Sequence, residues 1–294
     1  MISQDIRNKI KKIKIHTRRL IQSGLSGDYL SAFKGTGLEF DKIRDYQVGD
    51  DVRFIDWNCS ARMNKMMVKQ FVEERERTVI LMIDISKSEQ YSSKEDLKKD
   101  MVATISSVLA FVASENKDKV GALFFSDKVE KWISPARGEL HVGKILENIF
   151  SIKPTSNQTN INQALKFLVK LKKRNSVVFM LSDWIDDIEN YSKILKVASC
   201  EYDFVGVRIL DEREKNFPNV GLLQIRDLET NNVVTIDTRK TEGKKTLNTF
   251  LEIRLLEQKS LFDKYKIDLL DLVVDQPFIQ PMINFFHSRI RRQI

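Results

Sequence analysis

From Thr78 onward the chain alternates between short apolar runs and longer segments whose apolar positions recur every third or fourth residue. TVILMIDIS, SVVFMLSD and FVGVRIL are nearly continuous apolar runs, the pattern of strands buried on both faces. VGALFFSDKVEKWI predicts two short strands joined by a tight turn. Between the runs, SKEDLKKDMVATISSVLAFVASENK, GELHVGKILENIF, INQALKFLVKLKKR and ENYSKILKVASC carry helical spacing. A hairpin-like insertion, LLQIRDLETNNVVTIDT, precedes a long charged helix, the strand IDLLDLVV and a closing helix. Strands in alternation with helices predict an α/β fold whose mostly parallel sheet is covered on both faces. Ligands of such sheets lie outside the carboxyl ends of the strands, where the strand order reverses.

The first quarter of the chain reads differently. Ile6, Ile10, Ile13 and Leu20 fall at helical spacing, so residues 3 to 23 predict an amphipathic helix with a basic opposite face, stopped at Gly24. Gly35, Gly37 and Gly49 then punctuate short mixed segments such as DVRFIDW and MMVKQFVE, which predict strands and turns. The division expected is a basic helix with a β-rich segment over 1–77 and the sheet domain over 78–294.

Of the 294 residues 42% are hydrophobic, enough for a sizeable core without disulfide staples. The formal charge of +8 is concentrated at the ends: seven Lys and Arg side chains against Asp5 in residues 1 to 24, and Arg289, Arg291 and Arg292 at the close. Three roles stand for the basic helix: a cover on its own fold, an arm on an acidic membrane surface, or a nucleic-acid contact. No binding motif accompanies the charge, which puts nucleic acid last. No apolar run approaches the roughly 20 residues of a membrane span, and no apolar stretch of a secretory leader follows the basic start, so the expected compartment is the cytoplasm. Cys59 and Cys200 fit a reducing compartment and are expected to pack as small apolar groups. His16, His141 and His287 are scattered, without zinc-ligand spacing.

The chemistry concentrates where apolar runs end. ILMIDISKSE finishes in Asp84, Ser86 and Ser88, three oxygen-bearing side chains at every second position. The run VVFMLSD also ends in a carboxylate, Asp183, and the polar loop before INQAL offers Thr159. Two carboxylates and three hydroxyls suit a hard divalent cation, Mg²⁺ or Mn²⁺, which takes oxygen ligands and retains water. Two structural roles compete with this one. Strand-end carboxylates also cap helices or tie loops, and Thr159 stands where a helix N-cap belongs.

Asp84, Ser86, Ser88, Thr159 and Asp183, in that order, resemble the metal-ion-dependent adhesion site of von Willebrand factor A domains. Upstream, YQVGDDVRFIDWNCSAR, 46 to 62, is similar to the signature of the bacterial family called domain of unknown function 58. Its members resemble such domains and are typically encoded beside MoxR-type AAA+ ATPases. The joint resemblance covers approximately residues 35 to 210. It implies a von Willebrand factor A-like sheet in which Ser86, Ser88 and Thr159 contact a metal directly or through water, with Asp84 and Asp183 as ligands or as holders of coordinated water. An acidic side chain of a partner would complete the shell. The implied protein is a non-catalytic adaptor whose expected partner is a MoxR-type ATPase.

An enzymatic alternative is a phosphotransferase of the haloacid-dehalogenase kind, whose strand-end aspartate is a nucleophile. That chemistry needs a second carboxylate two residues on, where this chain has Ser86, although Asp183, Asp186 and Asp187 provide a later acidic group. TEGKKT, 241 to 246, lacks the first glycine of a phosphate loop and reads as a solvated turn or helix start. Asp50, Asp51, Arg53, Asp56 and Arg62, around Trp57, are expected to form a salt-bridge network that fixes the β-rich segment against the main domain.

Overall fold

The computed structural model describes residues 8, 10–13, 15, 17, 25–33, 38–73, 77–86, 95–152, 154, 159–173, 176–211, 221–226, 233–237 and 241–293. Its centre is a six-stranded sheet of β3 (Thr78–Asp84), β4 (Lys119–Phe125), β5 (Val129–Ala136), β6 (Ser176–Ser182), β7 (Asp203–Leu210) and β10 (Asp268–Val273), in the order β10-β7-β6-β3-β4-β5. All neighbours run parallel except β5, which returns antiparallel on β4. Its helices are α3 (Glu95–Glu115), α4 (Glu139–Ser151), α5 (Ile161–Lys170), α6 (Ile188–Glu201), α7 (Thr241–Lys264) and α8 (Ile279–Gln293). A hairpin of β8 (Leu222–Arg226) and β9 (Val233–Asp237) precedes α7, as the apolar pattern predicts, while its Asn-Asn turn lies outside the described residues.

Strand periodicity sorts the core into two layers. Val79, Leu81 and Ile83 face α3, α4 and α8, whereas Ile80 and Met82 face α5, α6 and α7. With both faces covered, β3 and β6 carry almost no polar side chain until their last residues, so their ends are where polar groups collect. Gly206 on β7 is fixed by packing, since a Cβ there would stand 2.4 Å from the buried Phe262 ring.

The N-terminal part divides in two. The described residues between 8 and 17 are helical, and Ile10 is buried in the core layer of α3 and α8, the arrangement of a cover on its own fold. A short helix not foreseen in the sequence, α1 (Ser26–Ala32), joins that layer: Tyr29 and Phe33 contact Phe286 of α8, and Phe33 also meets Phe179 of β6. Residues 38–73 form a lobe built on an antiparallel pair, β1 (Leu38–Asp45) and β2 (Met67–Glu73). DVRFIDW is not a strand. Asp51 accepts the Arg53 N–H and opens a 3-10 turn over Val52–Phe54, and Asp56 accepts the Cys59 N–H and starts α2 (Trp57–Met63). Carboxylates capping their own following turns hold the segment out of the extended state.

The charge network is local too. Arg44 grips Asp50 through two bonds of 2.7 Å, Arg53 pairs with Asp51 and Lys69 with Asp56. These pairs brace the lobe internally and do not reach the main domain, contrary to the sequence expectation. The Arg44 guanidinium holds the Asp50 carboxyl down at about 2. The C-terminal cations are also engaged: Arg289 reaches Asp203 and Asp268 and lies over Phe33, and Arg292 binds Asp268. Cys59 is half-buried but Cys200 is exposed, so only the former has the packing role expected of both.

Asp118, at the start of β4, is buried beneath Tyr29, whose hydroxyl donates to it, and accepts the Arg77 N–H. Burial pushes its carboxyl up to about 6. The folded protein then holds the proton more tightly than the unfolded chain, so stability falls as pH rises from the ordinary carboxylate range through about 6. Asp118→Asn, which mimics the neutral form, is expected to raise the melting temperature more at pH 7.5 than at pH 4.5. Equal shifts at the two pH values in thermal melts would contradict this.

Candidate cation site

β3 leads to β4 on one side through α3, and the chain later returns with β6 on the other side of β3. The reversal of strand order therefore lies between β3 and β6, and the crevice of the α/β rule opens over their carboxyl ends. Asp84 is the last residue of β3, and Asp183 directly follows β6. The pairing of Ile83 with Leu181 sets Asp84 beside Ser182, whose hydroxyl donates to Asp84 Oδ2 at 2.7 Å. Ser86 N–H donates to Asp84 Oδ1 at 2.9 Å. Asp183 Oδ1 accepts the Ile185 N–H at 3.0 Å, and its Oδ2 lies 3.3 Å from Lys98 Nζ.

Asp84, Ser86, Ser182, Asp183 and Lys98 are all buried, with the Lys98 and Asp183 side chains at 0% exposure. Burial, with the negative charge of Asp183 second, pushes the Asp84 carboxyl up to about 7; the N–H and hydroxyl of Ser86 and the hydroxyl of Ser182 pull the other way. A small cavity of about 20 Å³ touches Asp84 and Ser86 and is lined also by Lys99, Val102, Ile149 and Ile152. That is room for one water-sized particle.

Three of the five candidate ligands, Asp84, Ser86 and Asp183, thus sit together. Ser88 lies outside the described residues. Thr159 is half-buried, and its loop is anchored at the same end of the sheet, because Asn160 N–H donates to Ser126 O beyond β4 and Ile161 N–H donates to Asp186 Oδ2 beyond β6. The N-cap of α5 is not Thr159 but Asn160, whose side chain accepts the Gln163 N–H. Asp186, one of the later acids, accepts from Ile161, Asp187 and Asn190 and serves as a loop tie.

Sequence reasoning missed Ser182 and Lys98. Ser182 becomes visible only with the register of β6 on β3. Lys98 is one of two adjacent lysines at the start of α3, and nothing in the local pattern marks it as buried.

Behind Asp183 runs a second polar chain. Trp184 adopts a left-handed backbone, φ 59°, and is fully buried, its N–H donating to Ser182 Oγ. Its carbonyl accepts from Gln258 of α7, which in turn accepts from Arg208 of β7, and Arg208 grips Asp271 of β10 through two bonds. The turn after β6 is therefore tied to the far side of the sheet.

Among the described residues no three His, Cys, Asp or Glu side chains stand close enough to hold an ion by themselves. The donor set here is of another kind, two carboxylates with a buried hydroxyl, all hard oxygens, and Asp84 and Asp183 share a region where their charges repel. That chemistry fits a small divalent cation completed by hydroxyls and water.

A family model described as Protein of unknown function DUF58 matches residues 42–251. The chain belongs to the DUF58 family. The DUF58 match spans both the lobe and the sheet as far as α7. The uncharacterized protein Rv1480 of Mycobacterium tuberculosis (strain ATCC 25618 / H37Rv) is 25% identical over 223 residues, 75% of this chain and 70% of that protein. The uncharacterized protein YeaD of Bacillus subtilis (strain 168) is 32% identical over 108 residues, 36% of this chain and 25% of that one. Among solved structures, BatB from Bacteroides thetaiotaomicron overlays with a TM-score of 0.40 at 14% identity, covering 74% of this chain and 99% of that one. The SpRpn10 VWA domain overlays at 0.41 with 11% identity, covering 71% and 94%. Among the described residues no helix is long and apolar enough to cross a membrane.

Proposed function

We propose that this DUF58 protein is a non-catalytic, divalent-cation-dependent protein-binding adaptor. Asp84, Ser86 and Asp183 would hold a Mg²⁺ or Mn²⁺ ion, with Ser88 and Thr159 as the remaining candidate ligands, and an acidic side chain of a partner protein would take the open place. The observation that carries this reading is the pair of carboxylates buried together at the switch point of the sheet, with the Asp84 carboxyl pushed up by burial and by the charge of Asp183. When bound, the ion supplies that charge and a coordination position for an incoming carboxylate. The protein's own part is to preset the donors: Ser182 and the Ser86 backbone orient Asp84, and the Ile185 N–H orients Asp183.

Two features favour a protein partner over phosphoryl transfer. Ser86 stands where a dehalogenase-like enzyme needs its acid, and Asp186 is engaged by loop N–H groups. The lobe also leaves Val48, Val52, Trp57, Met63 and Met66 exposed, a concentration of apolar side chains characteristic of contact surfaces. The family resemblance makes a MoxR-type AAA+ ATPase the first partner to test. The immobilised ATPase of the same organism is expected to retain the protein in Mg²⁺, to release it in EDTA, and to retain it again when Mg²⁺ is restored. Retention indifferent to EDTA would overturn the reading; p-nitrophenyl phosphate turnover lost in Asp84→Asn would put the phosphatase in its place.

A further inference from the structure

We infer that Lys98 is the resident cation of this site, a tethered ammonium that pairs with the buried Asp183 carboxylate and must give way when a metal ion enters. The inference deepens the cation-site reading above and rests on it.

Lys98 is the fourth residue of α3 and is wholly buried, the reverse of what lysine ordinarily does. Helix stability does not explain the position. The start of a helix carries the positive end of its dipole, so an ammonium there is disfavoured by the helix itself. Lysines also usually bury the stem and keep the charged head in water. At Lys98 the head is inside, 3.3 Å from Asp183 Oδ2, which is equally buried. An ammonium so placed answers a demand from the site, and that demand is visible at Asp84, whose neighbour in charge is Asp183.

With both carboxylates ionised, Asp84, Asp183 and Lys98 together sum to −1, where the two carboxylates by themselves sum to −2. A divalent ion therefore meets a site whose attraction is already half cancelled, and it shares Asp183 with an ammonium that it repels strongly at such range. Lys98 then does two things. It lets the chain fold without metal, and it lowers the affinity for metal by the work of moving a buried side chain. Ion uptake is coupled to a displacement at the start of α3, so the bound and free forms differ at the helix end beside the crevice.

The test is Mn²⁺ and Mg²⁺ titration of the wild type and Lys98→Met by calorimetry, with thermal melts in EDTA and in saturating ion. Lys98→Met is expected to bind at least tenfold more tightly, to melt lower than wild type in EDTA, and to recover when the ion is added; Lys98→Arg, which keeps the charge, is expected to bind no more tightly than wild type. As a readout that does not depend on the folding of the Met variant, the wild type is also labelled with an acetylating reagent and mapped by mass spectrometry. Lys98 is expected to be protected in EDTA and to react several-fold faster in saturating Mn²⁺. Equal affinities with unchanged Lys98 labelling would overturn the resident-cation role and leave the cation site standing. Binding by Lys98→Met but not by the wild type would support the role and overturn metal uptake by the native chain. Failure of both proteins to bind at millimolar ion would overturn both.

Discussion

Asp84→Asn is expected to lower divalent-cation affinity by roughly a hundredfold or more, a loss at or beyond the upper end of what orienting residues around a metal contribute. The fold is expected to survive. Asparagine keeps an acceptor for the Ser86 N–H and removes the charge that Asp183 opposes. Asp84→Ala loses the same affinity but leaves the buried Ser182 hydroxyl and Ser86 N–H without their acceptor, at about 1–3 kcal/mol for an unmet buried group. The two variants therefore separate binding from stability. The pH dependence has a definite sign. With its pKa raised to about 7, Asp84 makes the metal-free fold lose stability as pH rises from the ordinary carboxylate range toward 7, and Asp84→Asn is expected to flatten that slope. Melts in EDTA between pH 5 and 8, with calorimetric titrations at pH 7.5, measure both effects. A variant that binds as tightly as wild type would remove Asp84 from the site.

The strands and helices of the sheet domain were legible because burial on two faces leaves little freedom in composition. After the Thr78 and Ser176 that open them, TVILMID and SVVFMLS carry only apolar side chains up to their last residue, and the polar residue that ends each run marks the carboxyl edge of the sheet. The strand-end rule, together with the resemblance to a metal-ion-dependent adhesion site, pointed to the candidate site. Details set by neighbours distant in sequence were not legible. Ser182 faces Asp84 because of a register, and the buried Lys98 meets Asp183 across 85 residues of sequence. In the lobe, DVRFIDW has the residue types of a strand, but Asp51 and Asp56 bond to N–H groups two and three residues onward and turn the chain back on itself. α1 was missed although Leu25, Tyr29, Ala32 and Phe33 fall at helical spacing and are all buried; the element is short, and it is secured by Phe286 at the other end of the chain.

Trp184→Ala is expected to cost about 3–5 kcal/mol in urea unfolding, the range for emptying the space of a fully buried large aromatic. The ring packs edge-on to Phe262 at 4.8 Å and against Tyr191 at 5.8 Å, joining α6 and α7 to the end of β6. Its backbone matters as much as its ring. The left-handed conformation at φ 59° costs a non-glycine residue on the order of 1 kcal/mol, and it persists because Ser182 and Gln258 hold the peptide groups on either side. Alanine keeps that strain while losing the packing that offsets it. Trp184→Phe is the informative contrast, since it retains most of the ring and drops the indole N–H, which has no hydrogen-bond partner among the described residues. It is expected to lose less than Trp184→Ala, because the cavity it leaves is smaller. Because Asp183 directly precedes Trp184, the alanine variant is also expected to bind divalent ion several-fold more weakly at temperatures where it remains folded. Normal ion affinity in a strongly destabilised Trp184→Ala protein would mean that Asp183 is held by Lys98 and the Ile185 N–H without help from the turn behind it.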